Sequence, residues 1–281
     1  MSGMDATLTV ARLERALFEM FPRADAEPWD HVGLSVGDPG APVRSVAVAL
    51  DADPASVRLA ADAGADVLLT HHPVYIKAPD AFAPAAPERP SASAAVFEAA
   101  RRQVSILSFH TNLDRSLEAR RALPGLVGLA AATSIEHPGE PGLPGLGALC
   151  PADGLTVGAL AGRCARAFGT EPRVWGNADR PVGDVAFLGG SLGDLGEAAL
   201  AAGAGAIVCG EAGYHVCQDL CARGCAVILL GHDRSEEPFT EILMDAARRA
   251  GVDHDAVRRI DRPRLWWTAQ GDTEPEGLDR R

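Results

Sequence analysis

Asp66-Val67-Leu68-Leu69-Thr70-His71-His72-Pro73 is an apolar run that stops at two adjacent histidines and a proline. The run reads as a strand from Val67 to Thr70. Successive side chains on a strand point to opposite faces, so neighbouring histidines converge on one site only where the strand has already ended. Pro73 cannot continue a ladder and supports a turn there. Paired imidazoles at a strand end suggest a metal site, although a metal needs further ligands. The same fragment also reads as a polar loop with one exposed and one capping histidine.

Around this strand the first hundred-odd residues alternate strand and helix. Leu8 to Phe21 has helical periodicity, and Val43 to Leu50 reads as a strand. Asp53 to Ala63 reads as a helix, with Asp53 as N-cap before Pro54. Ala78 to Ser93 is rich in Pro and Ala and too broken for regular structure, the composition of a lid or binding loop. Ala94 to Gln103 follows as a helix and Val104 to Phe109 as a third strand. This repetition implies parallel pairing with right-handed crossovers, and ligands in such sheets gather beyond the carboxyl ends of the strands.

After a Pro- and Gly-rich break the rhythm resumes. Helices are expected over Leu155–Phe168, Leu195–Ala202, Gly213–Arg223 and Glu236–Ala250. Strands are expected over Pro181–Gly189, Ala206–Cys209 and Cys225–Leu230. Ala-Gly-Ala precedes a strand in each half, at 63–65 and 202–204; this fits a weak internal repeat, or simply the usual glycine helix ending. The expected fold is α/β: two similar αβ halves with mixed, mostly parallel sheets flanked by helices, and a site between them. The boundaries are 1–124 and 125–230, with about 231–268 packing near the first half and 269–281 as a flexible tail.

Composition narrows the function. The chain has 281 residues, 47% hydrophobic, with a net charge of -12. That describes a soluble protein with material for a sizeable core. No basic stripe appears, which argues against nucleic-acid binding. There is neither a signal pattern nor an apolar run long enough for a membrane span, so a cytoplasmic location is expected. The six cysteines are then thiols. Cys217, Cys221 and Cys225 lack paired zinc-ligand spacing and read as small buried residues. Gly189-Gly190-Ser191-Leu192-Gly193 reads as a tight turn in preference to an anion site.

Histidines cluster at strand ends. His71, His72, His110 and His232 all lie just past a predicted strand. His110-Thr111-Asn112-Leu113-Asp114 and His232-Asp233-Arg234-Ser235-Glu236 each set a histidine four positions before a carboxylate. The bland alternatives are that Asp114 caps a helix near Ser116 and that Glu236 and Glu237 are first-turn acids. Imidazole and carboxylate ligands without thiolate suit zinc, manganese, iron or nickel. Even five ligands from this set exceed the needs of one tetrahedral ion and fit a bridged pair of ions better.

With Trp29-Asp30-His31-Val32-Gly33-Leu34-Ser35-Val36-Gly37-Asp38, Thr70-His71-His72-Pro73, Cys209-Gly210-Glu211 and Tyr214-His215, these motifs resemble the Nif-three-like family over about residues 8–265. That family is described as dinuclear metal centre hexameric proteins, or GTP cyclohydrolase I type 2 homologues, and the chain resembles its short form. The resemblance implies that His71, His72, Asp114, His232 and Glu236 hold two divalent ions, with Glu236 as the bridge. It implies that His110 is an occasional ligand or a partner of the ligands, and that the Trp29 motif, Glu211 and His215 lie near the site. It also implies a ring-like homohexamer. His31 stands where the family often has Asn, and Arg115 to Arg121 is short and basic. Lys77, Arg115 and Arg234 are the nearest cations for a phosphate. His110 or His215 is a candidate proton shuttle. The function expected is a metal-dependent hydrolase acting on a nucleotide or another phosphorylated small molecule. The alternative is a non-catalytic metal-binding, metal-chaperone or scaffold ring protein.

Overall fold

A computed structural model describes residues 7–84, 89–261 and 263–268. The expected tail at 269–281 and part of the Ala78–Ser93 loop lie outside the described residues. The first sheet contains β1 (Gly33–Val36), β2 (Val46–Ala49), β3 (Val67–Thr70), β4 (Ser105–Ser108) and β10 (Val257–Arg259), in the order β1-β4-β3-β2-β10. The second contains β5 (Ala148–Pro151), β6 (Arg173–Trp175), β7 (Asp184–Phe187), β8 (Ala204–Cys209) and β9 (Ala226–Leu229), in the order β5-β7-β8-β9-β6. Pairing is parallel throughout except for β1, β5 and β6, which run antiparallel to their neighbours. The mixed, mostly parallel α/β architecture is therefore the one expected.

The six strands read from the sequence are the six interior ones. All four edge strands escaped that reading: most are partly exposed, whereas the interior strands, mostly just as short, are almost wholly buried. An exposed short strand carries no continuous apolar run to betray it.

The helices are α1 (Val10–Met20), α2 (Pro54–Asp62), α3 (Pro90–Arg102), α4 (Thr111–Asp114), α5 (Leu117–Leu126), α6 (Val157–Phe168), α7 (Leu195–Ala201), α8 (Tyr214–Ala222), α9 (His232–Glu236) and α10 (Phe239–Arg249). Asp53 caps α2 as expected, its carboxylate accepting from the Ser56 amide at 2.7 Å. Three details differ from expectation. First, α3 starts at Pro90, inside the stretch read as irregular, since proline is tolerated in a first helical turn. Second, α5 begins after Ser116, whose hydroxyl accepts from the Ala119 amide at 3.0 Å; Ser116, not Asp114, is the cap. Third, the expected Glu236–Ala250 helix is split into α9 and α10 around Pro238, which has no amide hydrogen to donate into a helix.

Three apolar clusters stack the elements into five layers. Ala47, Leu68 and Ile106 on one face of the first sheet pack with α2 and α3. Ala186, Ile207 and Val227 on one face of the second pack with α7 and α8. The remaining faces of both sheets join one continuous core through α1, α5, α6 and α10: Val48, Leu69, Leu107, Val185, Phe187, Ile228, Leu160 and Leu243 all belong to it. Cys217 and Cys225 are buried in the outer cluster of the second half. No described helix is long and apolar enough to cross a membrane.

Candidate metal centre

Strand ends of both sheets meet at one place. His71 and His72 leave β3, His110 leaves β4, and Asp51 follows β2. From the second sheet, Glu211 follows β8 and α9 follows β9, bringing His232 and Glu236 across. His71 is fully buried and Glu236 nearly so. The imidazole rings of His71, His72 and His110 lie 5.1–5.7 Å apart, and His232 is 5.4 Å from His72. Ligand atoms of His71, His72 and His110 form one compact group, and those of His72, His232 and Glu236 another.

Each of the four histidines is anchored from outside by Nδ1. His71 Nδ1 donates to the Phe109 carbonyl at 3.0 Å, and His72 Nδ1 to Asp51 Oδ1 at 2.8 Å. His110 Nδ1 donates to Asp30 Oδ1 and His232 Nδ1 to Glu211 Oε1, both at 3.0 Å. Oxygen acceptors fix the proton on Nδ1 and so leave Nε2 for the interior. Asp30 is itself held by the Thr111 amide at 3.0 Å and the Thr111 hydroxyl at 2.5 Å. The cluster of donors around it keeps its carboxyl below the usual range despite burial.

Glu236 divides its two oxygens. Oε2 lies 2.8 Å from His72 Nε2 and 3.1 Å from His232 Nε2, whereas Oε1 faces His71 Nε2 at 3.8 Å. Asp114 Oδ1 is 3.5 Å from the same His71 nitrogen. Both His71 Nε2 and Asp114 Oδ1 are buried without a hydrogen-bond partner. A buried imidazole nitrogen and a carboxylate oxygen left unpaired cost free energy unless something between them completes their coordination. This donor set fits a divalent cation.

The electrostatics agree. Burial pushes the pKa of His71 down, so its inward nitrogen carries a bare lone pair. Burial opposes protonation of His72 too, but hydrogen bonds to Asp51 and Glu236 outweigh it and raise its pKa to about 10. His232 rises to about 9, chiefly through its bond to Glu236. Asp114 is pushed up to about 7 by burial and by the charge of Glu236, which is itself held low by its histidine donors despite its burial. With their raised pKa values, His72, His232 and Asp114 would bind a cation in competition with protons.

Other expected residues fall further out. Trp29 sets its ring edge-on to His110 at 6.0 Å, and His31 lies against Tyr75 at 4.7 Å. His215 is exposed on α8, with its ring against Tyr214. Lys77 is exposed, its carbonyl accepting from Arg89. Arg115 is engaged by Glu27, Glu136 and the Asp25 carbonyl, and Arg234 by Glu237. The sequence reading missed Asp51, although it follows an apolar strand just as His71 does. It also missed what the Gly189-Gly190 turn does: a Cβ on Gly190 would come within 2.3 Å of Glu236 Oε1. The turn backs the carboxylate.

Residues 8–261 match the model of the Duf34/NIF3 family (NGG1p interacting factor 3). The chain belongs to this family. A GTP cyclohydrolase 1 type 2 homolog of Streptomyces coelicolor is 31% identical over 235 residues, 81% of each chain. One of Clostridium acetobutylicum is 25% identical over 241 residues, 84% of this chain and 88% of that one. The NIF3 fold is shared by solved structures. A Staphylococcus aureus hypothetical protein has a TM-score of 0.79 at 21% identity, covering 91% of this chain and 97% of its own. A Bacillus cereus protein related to NIF3 gives 0.79 at 17% identity, with 92% and 98% covered.

Proposed function

We propose that this NIF3-family chain holds two divalent metal ions and uses them to hydrolyse a nucleotide or another phosphorylated small molecule. The observation that carries the reading is the common posture of the four histidines: Nδ1 tied outward to an oxygen, Nε2 turned to one centre. His71 and Asp114 would hold one ion, His72 and His232 the other, and Glu236 would give one oxygen to each. Zinc, manganese, iron or nickel suits these donors. Bound ions supply a water of lowered pKa, near 7, and a polarised substrate oxygen.

The chain's own residues do the rest. Asp51, Glu211 and the Phe109 carbonyl set the histidine tautomers and orientations. Phe239, 5.1 Å from the His71 ring, closes the inner wall against water. His110, steadied by Asp30, accepts or returns the proton of the reaction. The relatives named for GTP cyclohydrolase direct the substrate choice toward nucleotides. A homohexameric ring is the assembly we expect in solution.

The test is elemental analysis of the purified chain joined to a phosphoester and nucleotide screen with bound metal retained. Close to two ions per chain are expected, falling to one or fewer in His72→Ala. Asp114→Asn is expected to lose at least about 10–100-fold in turnover while the assembly persists on a sizing column with light scattering. Less than one ion per chain in wild type and His72→Ala alike would sink the dinuclear reading. Full metal content with no turnover on any substrate would favour a chaperone or scaffold.

A further inference from the structure

A broad cleft of about 980 Å³ opens beside the candidate centre, on the side of Glu211 and His232. Its wall includes Gly210, Glu211 and Gly231, so it shares Glu211 with the anchor of His232. Three arginines line it, Arg173, Arg234 and Arg264, against the acids Glu171 and Glu211. That balance is positive in a chain whose net charge is -12. Two of the arginines have partners already: Arg234 Nη1 pairs with Glu237 at 3.0 Å, and Arg264 lies 4.0 Å from Asp233. Arg173 has no carboxylate partner among the described residues, and Arg234 Nε is buried with no hydrogen bond at all.

The cleft also carries aromatic surface. Trp266 and Trp267 line it, 46% and 80% exposed, which is unusual for residues of this size. Trp266 is not adrift: its Nε1 donates to Asp233 Oδ2 at 3.1 Å, and the Arg264 guanidinium lies over its ring at 5.3 Å. Asp233 is the neighbour of His232 on α9. The aromatic wall is thus fastened to the same short helix that carries two candidate ligands.

Exposed indole faces and the guanidinium of Arg173, which has no carboxylate partner among the described residues, share one ligand chemistry. A flat ring stacks on indole, and phosphate oxygens pair with guanidinium. We propose that this cleft binds a phosphorylated compound bearing a flat heteroaromatic ring, that is, a nucleotide. Trp267 takes the ring, and Arg173 takes the phosphate beside the centre. The inference deepens the functional reading above and rests on it for the chemistry that follows binding, but not for binding itself.

The test uses the full chain as purified, titrated calorimetrically with GTP, guanosine and inorganic phosphate. GTP is expected to bind most tightly. Trp267→Ala is expected to weaken GTP and guanosine alike by about tenfold, the scale of one lost stack, while Trp267→Phe restores most of it. Arg173→Gln is expected to weaken GTP and leave guanosine unchanged. Metal content and circular dichroism, measured on each variant, should match wild type. GTP affinity unchanged in both Trp267→Ala and Arg173→Gln would overturn the assignment, as would inorganic phosphate binding as tightly as GTP. A chain that binds GTP in this variant-sensitive way but holds no metal would leave the cleft standing and remove the dinuclear centre. A chain with full metal and variant-insensitive GTP binding would do the reverse.

Discussion

His72 shows how one residue links structure to pH. In the metal-free chain it is protonated between two carboxylates, with its pKa raised to about 10, and His232 is raised to about 9. A histidine raised above its unfolded value of about 6.5 contributes stability that is complete below that pH and lost as pH climbs through the folded value. Asp114, pushed up to about 7, acts in the same sense: its contribution fades between the unfolded carboxyl range and pH 7. The metal-free protein is therefore expected to lose thermal stability from about pH 6.5 to 10. Metal uptake must displace those protons, so affinity is expected to rise with pH over the same window. Melting curves with and without chelator check both; a metal-free midpoint that rises from pH 7 to 9 contradicts this account. The candidate ligands were legible in the sequence because histidine is conspicuous at the end of an apolar strand. Their anchors were not. Asp51 and Asp30 reach His72 and His110 from 21 and 80 positions away, and strand order in the folded sheet decides which acceptor each Nδ1 meets.

At the scale of elements, the interior strands announced themselves and the edges did not. β3 and β8 are buried along nearly their whole length and read as uninterrupted apolar runs. β6 and β10 are three residues long and at best partly buried, and become strands only because a neighbour offers its hydrogen bonds. The same dependence on neighbours explains the Gly189-Gly190 turn, whose role emerges only when α9 packs on it. Gly190 has φ of +61°, and an added methyl would strain the backbone as well as strike Glu236. Gly190→Ala is expected to cut metal content much more than it lowers the melting temperature. Normal metal content in a well-folded Gly190→Ala protein would show that the turn does not set the carboxylate.

For the whole molecule, the decisive feature is the core shared by the two sheets. Leu243 on α10 is fully buried in it, and truncating such a residue costs about 2–5 kcal/mol. Leu243→Ala is expected to lower the stability of both halves together, as one transition by hydrogen exchange. Loss of protection in one sheet alone would show that the halves unfold separately.

The candidate site draws on both sheets, and this sets an order of events during synthesis. His72 leaves the ribosome 164 residues before Glu236, the carboxylate that faces both histidine sets. A growing chain displays histidines for most of its translation yet has no complete cage. Only when the second sheet has docked does the last carboxylate arrive. Metal capture would therefore belong to the end of maturation, and a loaded chain would be one whose assembly had already succeeded.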